Sequence, residues 1–210
     1  MDRTTRGWGS GLVGVVIFSG SLPATRAAVG DFPPLFLTSA RAVIAALLGA
    51  TFLALLRQAR PARGDLASLG IVALGVVIGF PLLTALALQH ITSAHSIVFI
   101  GLLPLATAIF GVLRGGERPK PVFWLFSGLG GAAVAGFALF QGGGGSLLGD
   151  VLMVAAILLC GLGYAEGAAL SRRLGGWQVI SWALLLSRNC SLPFHDVQLR
   201  RGLSASVMFA

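Results

Sequence analysis

The residues of this chain that could do chemistry lie within apolar sequence. Arg41 stands in a run of Leu, Ala and Phe, Glu166 lies beside Tyr164 in a Gly/Ala stretch, and Arg26 follows Thr25. An ionised side chain in hydrocarbon costs about 2.5–3.5 kcal/mol on insertion scales, so each of these asks for a reason. Arg41 either holds an anionic group or a helix C-terminus, or its long stem carries the guanidinium back to an interface. Glu166 is either a proton-exchanging carboxylate or a partner for Arg172 and Arg173, six and seven residues further on. Arg26 sits close enough to the end of its run for snorkelling to suffice. Thr25, Ser96, Gln89 and Tyr164 are neutral groups that either hydrogen-bond a ligand or bridge helices.

Other patterns point away from chemistry. His90 and His95 flank a short connection without a third ligand, so a zinc site is not expected, and each is either a sensor of external pH or, as the favoured reading, an ordinary interfacial residue. Cys160 and Cys190 form neither a disulfide framework nor a C-x-x-C site, and Cys160 reads as a small packing residue. The four glycines at 142–145 lack a following Lys-Ser/Thr. They read as a flexible hinge rather than a phosphate-binding loop. The sequence holds no H-E-x-x-H, no G-x-S-x-G and no Walker motif. Catalytic residues, metals, cofactors and ATP coupling are therefore not expected.

These residues must be positioned by membrane helices. Six apolar stretches, at 8–29, 35–56, 66–88, 94–113, 122–140 and 147–171, follow one another. Each reaches the ~20 residues that cross a hydrocarbon core of about 30 Å. Charged residues make up only 10% of the chain, far below the quarter typical of soluble domains. A net charge of +8 could suggest nucleic acid, but the basic residues occupy short connections and form no surface domain. A secretory signal is the alternative for the N-terminus. Its apolar run is long for that, and Arg26 occupies the place of a small-residue cleavage motif, so 8–29 reads as an uncleaved span.

The connections orient the bundle. Arg3, Arg6, Arg57, Arg60, Arg63, Arg114, Arg118, Lys120, Arg172 and Arg173 lie on one side, and only Arg26 on the other. Ten against one places the N-terminus in the cytoplasm of a bacterial inner membrane, with Trp8 and Trp124 at interfaces. Pro23, Pro81 and Pro104 fall within spans, where each removes a helical hydrogen bond and kinks the helix. The pairs Gly75/Gly79 and Gly163/Gly167 set small residues on one face, allowing close crossing with a helix of this or another chain.

A weak repeat follows the fifth span. Phe18 to Arg26 aligns with Leu159 to Gly167, matching Gly20 with Gly161, Ala24 with Ala165, and Thr25 with Glu166. Five spans is an odd number, so the second copy enters from the opposite side, as in the inverted repeats of secondary transporters. Together with Gly20, Thr25-Arg26, Pro33-Pro34 ahead of Arg41, Ser96 and Pro104 in the fourth span, the exit Gly116-Glu117-Arg118-Pro119 and the Gly/Ala-rich 127–140, this pattern resembles the EamA-type transporters of the drug/metabolite transporter superfamily. The resemblance covers about 8–187 and implies ten spans in two inverted five-span repeats.

The expected fold is thus all-α, a polytopic transmembrane bundle. Residues 1–141 form a first repeat, 142–187 the start of a second, and 188–210 a polar tail outside the pattern. From Trp177 to Ser187 a seventh span begins and stops, at about 16 Å of helix. That break suggests truncation or a frame change near Arg188, against the alternative of a natural cytoplasmic tail. The expected function is secondary transport, with export implied by the resemblance, of a small metabolite by alternating access, inactive in the chain as it stands if the break is real. The alternatives are a non-transporting fragment or helical partner subunit, and less favourably a membrane-embedded enzyme. Expected partners are the lipid bilayer, a small-molecule substrate and a second copy in a homodimer, not nucleic acid.

Overall fold

The computed structural model describes residues 3–116, 118–140 and 146–187, with side chains described outside 3–8, 10, 134, 135 and 137–139. Every regular element among them is helical. The first span comprises α1 (Arg3–Ser19) and α2 (Ser21–Asp31), the second is α3 (Pro34–Leu55), and the third runs through α4 (Leu66–Val72), a π-helical stretch (Ala73–Gly79) and α5 (Phe80–Ala87). The fourth comprises α6 (Ser93–Ile100) and α7 (Leu103–Gly115), and α8 (Pro121–Phe140) and α9 (Leu147–Leu174) follow. A short helix, α10 (Gly176–Ser187), ends the described chain. Five helical runs are long and apolar enough to cross a membrane: Gly11–Asp31, Pro34–Leu55, Arg63–Ala87, Ser93–Gly115 and Leu147–Leu174. The glycine run 142–145, Glu117, the tail 188–210 and the side chain of Trp8 lie outside the described residues.

Each in-span proline sits just beyond an irregularity in its helix. Pro23 follows the interruption at Gly20, and Pro104 follows the one at 101–102, where Leu102 N–H tightens onto the Phe99 carbonyl at 2.9 Å. Pro81 follows the π-helical stretch, in which Phe80 N–H reaches back five residues to the Gly75 carbonyl. A proline cannot donate to the carbonyl four residues before it, so the preceding turn tightens, breaks or widens. Termini are shaped locally too. Pro34 starts α3, where a missing N–H costs nothing. Arg57 closes the same helix at φ 47°, with Gln58 N–H on the Leu53 carbonyl and Arg57 N–H on that of Ala54. Those two bonds form a Schellman closure at a position that favours glycine.

The hub of the bundle is α9. It packs on α7, on the whole third span and on α6. Its glycines set these crossings. A Cβ on Gly161 would come within 2.9 Å of the Ala106 Cβ, and one on Gly149 within 2.6 Å of Ile91. A Cβ on Gly75 would collide with the Leu159 carbonyl oxygen and lie 3.2 Å from the Gly163 Cα. Gly75 and Gly163, one glycine of each small-residue pair read from the sequence, therefore meet within this chain, backbone against backbone.

Around that crossing Ala42, Leu69, Val72, Val77, Leu170, Val179 and Ala183 form one buried cluster, uniting the second, third and sixth spans with α10. A smaller cluster of Ala87, Ile91 and Met153 closes the other end of α9. In contrast, α1 presents Leu12, Val13, Val15, Val16 and Ile17 outward, each more than half exposed. Apolar residues turned outward on a span are what a lipid-facing helix requires.

Candidate functional site

Side-chain contacts hold α9 at both ends, ion pairs at its C-terminal end and a histidine–carboxylate hydrogen bond at its N-terminal end. At its C-terminal end Glu166, only 8% exposed, accepts from Arg114 Nε and Nη2, each at 2.5 Å. Two turns further, Arg173 Nη2 meets Asp65 Oδ1 at 2.6 Å, reaching the 3-10 turn Arg63–Asp65 that opens the third span. At the N-terminal end, His95 Nε2 lies 2.8 Å from Asp150 Oδ1. Thr92 caps α6 there by accepting from the backbone N–H of His95 at 3.2 Å. These contacts fix direction: α9 runs parallel to the fourth span and antiparallel to the third. Acid in the first turn of α9 and base in its last also match the helix dipole.

The pairing of Glu166 corrects one expectation. Its partner is Arg114 of the fourth span rather than Arg172 or Arg173, because those arginines stand beyond the three- to four-residue spacing at which side chains of one helix meet, while α7 lies directly alongside. Arg173 is taken by Asp65. Asp65, Asp150 and Arg114 were not read as site residues in the sequence. The signal available was position, since each acid opens a span whose neighbour carries a base or histidine.

On the other side of the bundle a cavity of about 330 Å³ lies between α2 and α3. Ser21, Ala24, Thr25, Ala28, Leu37 and Arg41 line it, so Thr25 and Arg41 come together. The Thr25 hydroxyl donates to the Ser21 carbonyl at 2.7 Å. Among the described residues no carboxylate pairs with Arg41. Arg26 is exposed and does not line this cavity.

The remaining polar candidates are dispersed. Tyr164 lines a second, largely apolar cavity of about 260 Å³ with Val76, Gly163, Ser171 and Val179. Ser96 is fully buried and donates to the Ser93 carbonyl at 2.8 Å, a bond within its own helix. Gln89 is exposed at the end of the third span. Glu166 lines neither cavity. Two hydroxyls that the sequence reading passed over, those of Thr38 and Thr84 on the packed helices α3 and α5, are buried without a hydrogen-bond partner among the described residues. Among the described residues no three His, Cys, Asp or Glu side chains gather as a metal site would need.

Comparison with known proteins decides the family. The model of the EamA-like transporter family matches residues 5–139. The chain belongs to the EamA-like transporter family. Over 193 residues this EamA protein is also 70% identical to the uncharacterized transporter YdeK of Bacillus subtilis (strain 168), a match covering 92% of the chain and 67% of that relative. No solved structure matches it. An EamA-family membrane transporter, not an enzyme, is the reading that family, relative and apolar helices share.

Proposed function

We propose that this EamA protein is a secondary transporter that exports a small metabolite by alternating access, from a bacterial inner membrane with its N-terminus in the cytoplasm. The observation that carries this reading is the attachment of α9 at both ends. Arg114–Glu166 and Arg173–Asp65 close one end, and His95–Asp150 the other. Alternating access requires contacts that open at one face while those at the opposite face hold. Partly exposed polar and charged pairs suit that role, since water and counter-ions replace their contacts when they separate.

Residues 1–141 act in this reading as a first repeat, with α9 and α10 beginning an inverted second one. The division is supported by α9 running opposite to the first span if successive spans alternate in direction. Gly20 and Gly161, aligned in the repeat, differ in use: Gly20 interrupts a helix, while Gly161 is a crossing point. The outward apolar residues of α1 leave room for a second copy as well as for lipid.

The test is counterflow in proteoliposomes over a panel of metabolites, without ATP. Saturable, substrate-dependent flux is expected. Its absence across the panel, in protein shown to be folded, would favour a non-transporting helical subunit.

A further inference from the structure

We propose that the cavity between α2 and α3 binds the carboxylate of a small organic monoanion with a compact apolar body, and that Arg41 is its anchor. This deepens the transporter reading and rests on it for its biological meaning, although binding itself can be measured without transport.

Charge is the first argument. Arg41 contributes a permanent positive charge to the cavity wall, and among the described residues no acidic side chain lines it. Nor does any carboxylate among the described residues pair with Arg41, although Asp31 lies at the end of α2, ten positions earlier. A guanidinium at membrane depth without a partner is costly, and a bound anion would supply the missing charge. The planar fork of arginine matches a carboxylate with two parallel hydrogen bonds. Among the described residues Arg41 is the cavity's single cation, which suits a monoanion better than a dianion.

The rest of the lining restricts the body of the ligand. Ala24, Ala28 and Leu37 form a short apolar wall. The Ser21 hydroxyl makes no hydrogen bond among the described residues and can donate, whereas the Thr25 proton is already used on the Ser21 carbonyl. At about 330 Å³ the cavity stands at the small end of ligand sites. The absence of an acidic lining residue also disfavours a cationic ammonium, so a simple carboxylate fits better than an amine. One turn before Arg41 on the same helix, the Thr38 hydroxyl is buried and unpaired, a further polar group without a partner near this site.

The experiment uses three near-isosteric probes on the full chain in lipid nanodiscs: 3-methylbutanoate, 3-methylbutanamide and 3-methylbutylamine. Equilibrium dialysis at neutral pH is expected to show saturable binding of the carboxylate. The amide and the amine should bind weaker by on the order of tenfold or more, the scale of a lost charge-assisted bond. Arg41→Gln should remove that preference and Arg41→Lys should retain part of it, while Arg60→Gln in the loop leaves it unchanged. The comparison of probes on the unaltered protein decides the matter even if an Arg41 variant fails to fold. Equal binding of carboxylate and amide, no binding of any probe, or full preference in a folded Arg41→Gln protein would each overturn the proposal. Failure here is separable from failure of the transporter reading. Metabolite counterflow that 3-methylbutanoate does not inhibit would leave transport standing and remove the carboxylate site, whereas carboxylate binding without any flux would do the reverse.

Discussion

Arg173 meets Asp65 at 2.6 Å across 108 positions of sequence, joining the last turn of α9 to the first turn of the third span. The two partners are unequal, because Asp65 is buried and the Arg173 side chain is 66% exposed. Removing the arginine leaves a buried carboxylate without its cation, which costs more than losing both members together. Arg173→Gln is therefore expected to lower the thermal midpoint in detergent, and Asp65→Asn in the same chain to recover part of the loss. Solvent at the guanidinium limits the coupling to about 1 kcal/mol. Strictly additive effects of the two changes would show that the pair carries no coupling.

Glu166 and Arg114 are expected to behave as one unit. Glu166→Gln keeps shape and hydrogen bonding while removing ionisation. If the pair is a clasp, Glu166→Gln and Arg114→Gln change flux to a similar extent, and the dependence of transport on pH survives both. Loss of that dependence in Glu166→Gln alone would instead make Glu166 the coupling carboxylate.

Contact between Gly75 and Gly163 makes a packing prediction. Gly75→Ala drives a methyl into the Leu159 carbonyl, and side-chain adjustment cannot relieve a clash with backbone. A loss of about 1–3 kcal/mol, the usual range for overpacking, is expected in stability. Gly130→Ala is the control, since its added Cβ meets nothing within 4 Å and α8 gains a better helix former. Matching stabilities in the two variants would contradict the close crossing.

Orientation can be tested by labelling from outside intact cells. In a background lacking Cys160 and Cys190, a cysteine replacing Gly143 is expected to react with an impermeant reagent, and one replacing Arg60 is not. The opposite pattern would invert the membrane topology inferred from the ten-to-one distribution of basic residues.

Length and hydropathy made the spans legible, because the bilayer imposes a single dimension on every crossing helix. The glycine pairs were legible as close-approach faces, but their partner was not, since small residues carry no record of which helix they meet. Arg41 and Thr25 were readable individually as polar groups at membrane depth. Their convergence required the packing of α2 on α3. Glu166 shows the limit most clearly. Sequence neighbours suggested Arg172 and Arg173, while the observed partner lies 52 positions away on a helix whose adjacency only the fold supplies. The partners of Asp65 and Asp150 were hidden for the same reason.

The central place of α9 bears on how the chain assembles during synthesis. The third and fourth spans leave the ribosome well before the helix that fills the space between them. Until α9 arrives, Gly75 and Ala106 have no backbone to rest against, and Asp65 and Arg114 lack their partners. The early spans must therefore wait in the membrane as a loosely associated set. Insertion and packing become separate events, and the second is triggered by one late helix that threads its glycines between neighbours already in place.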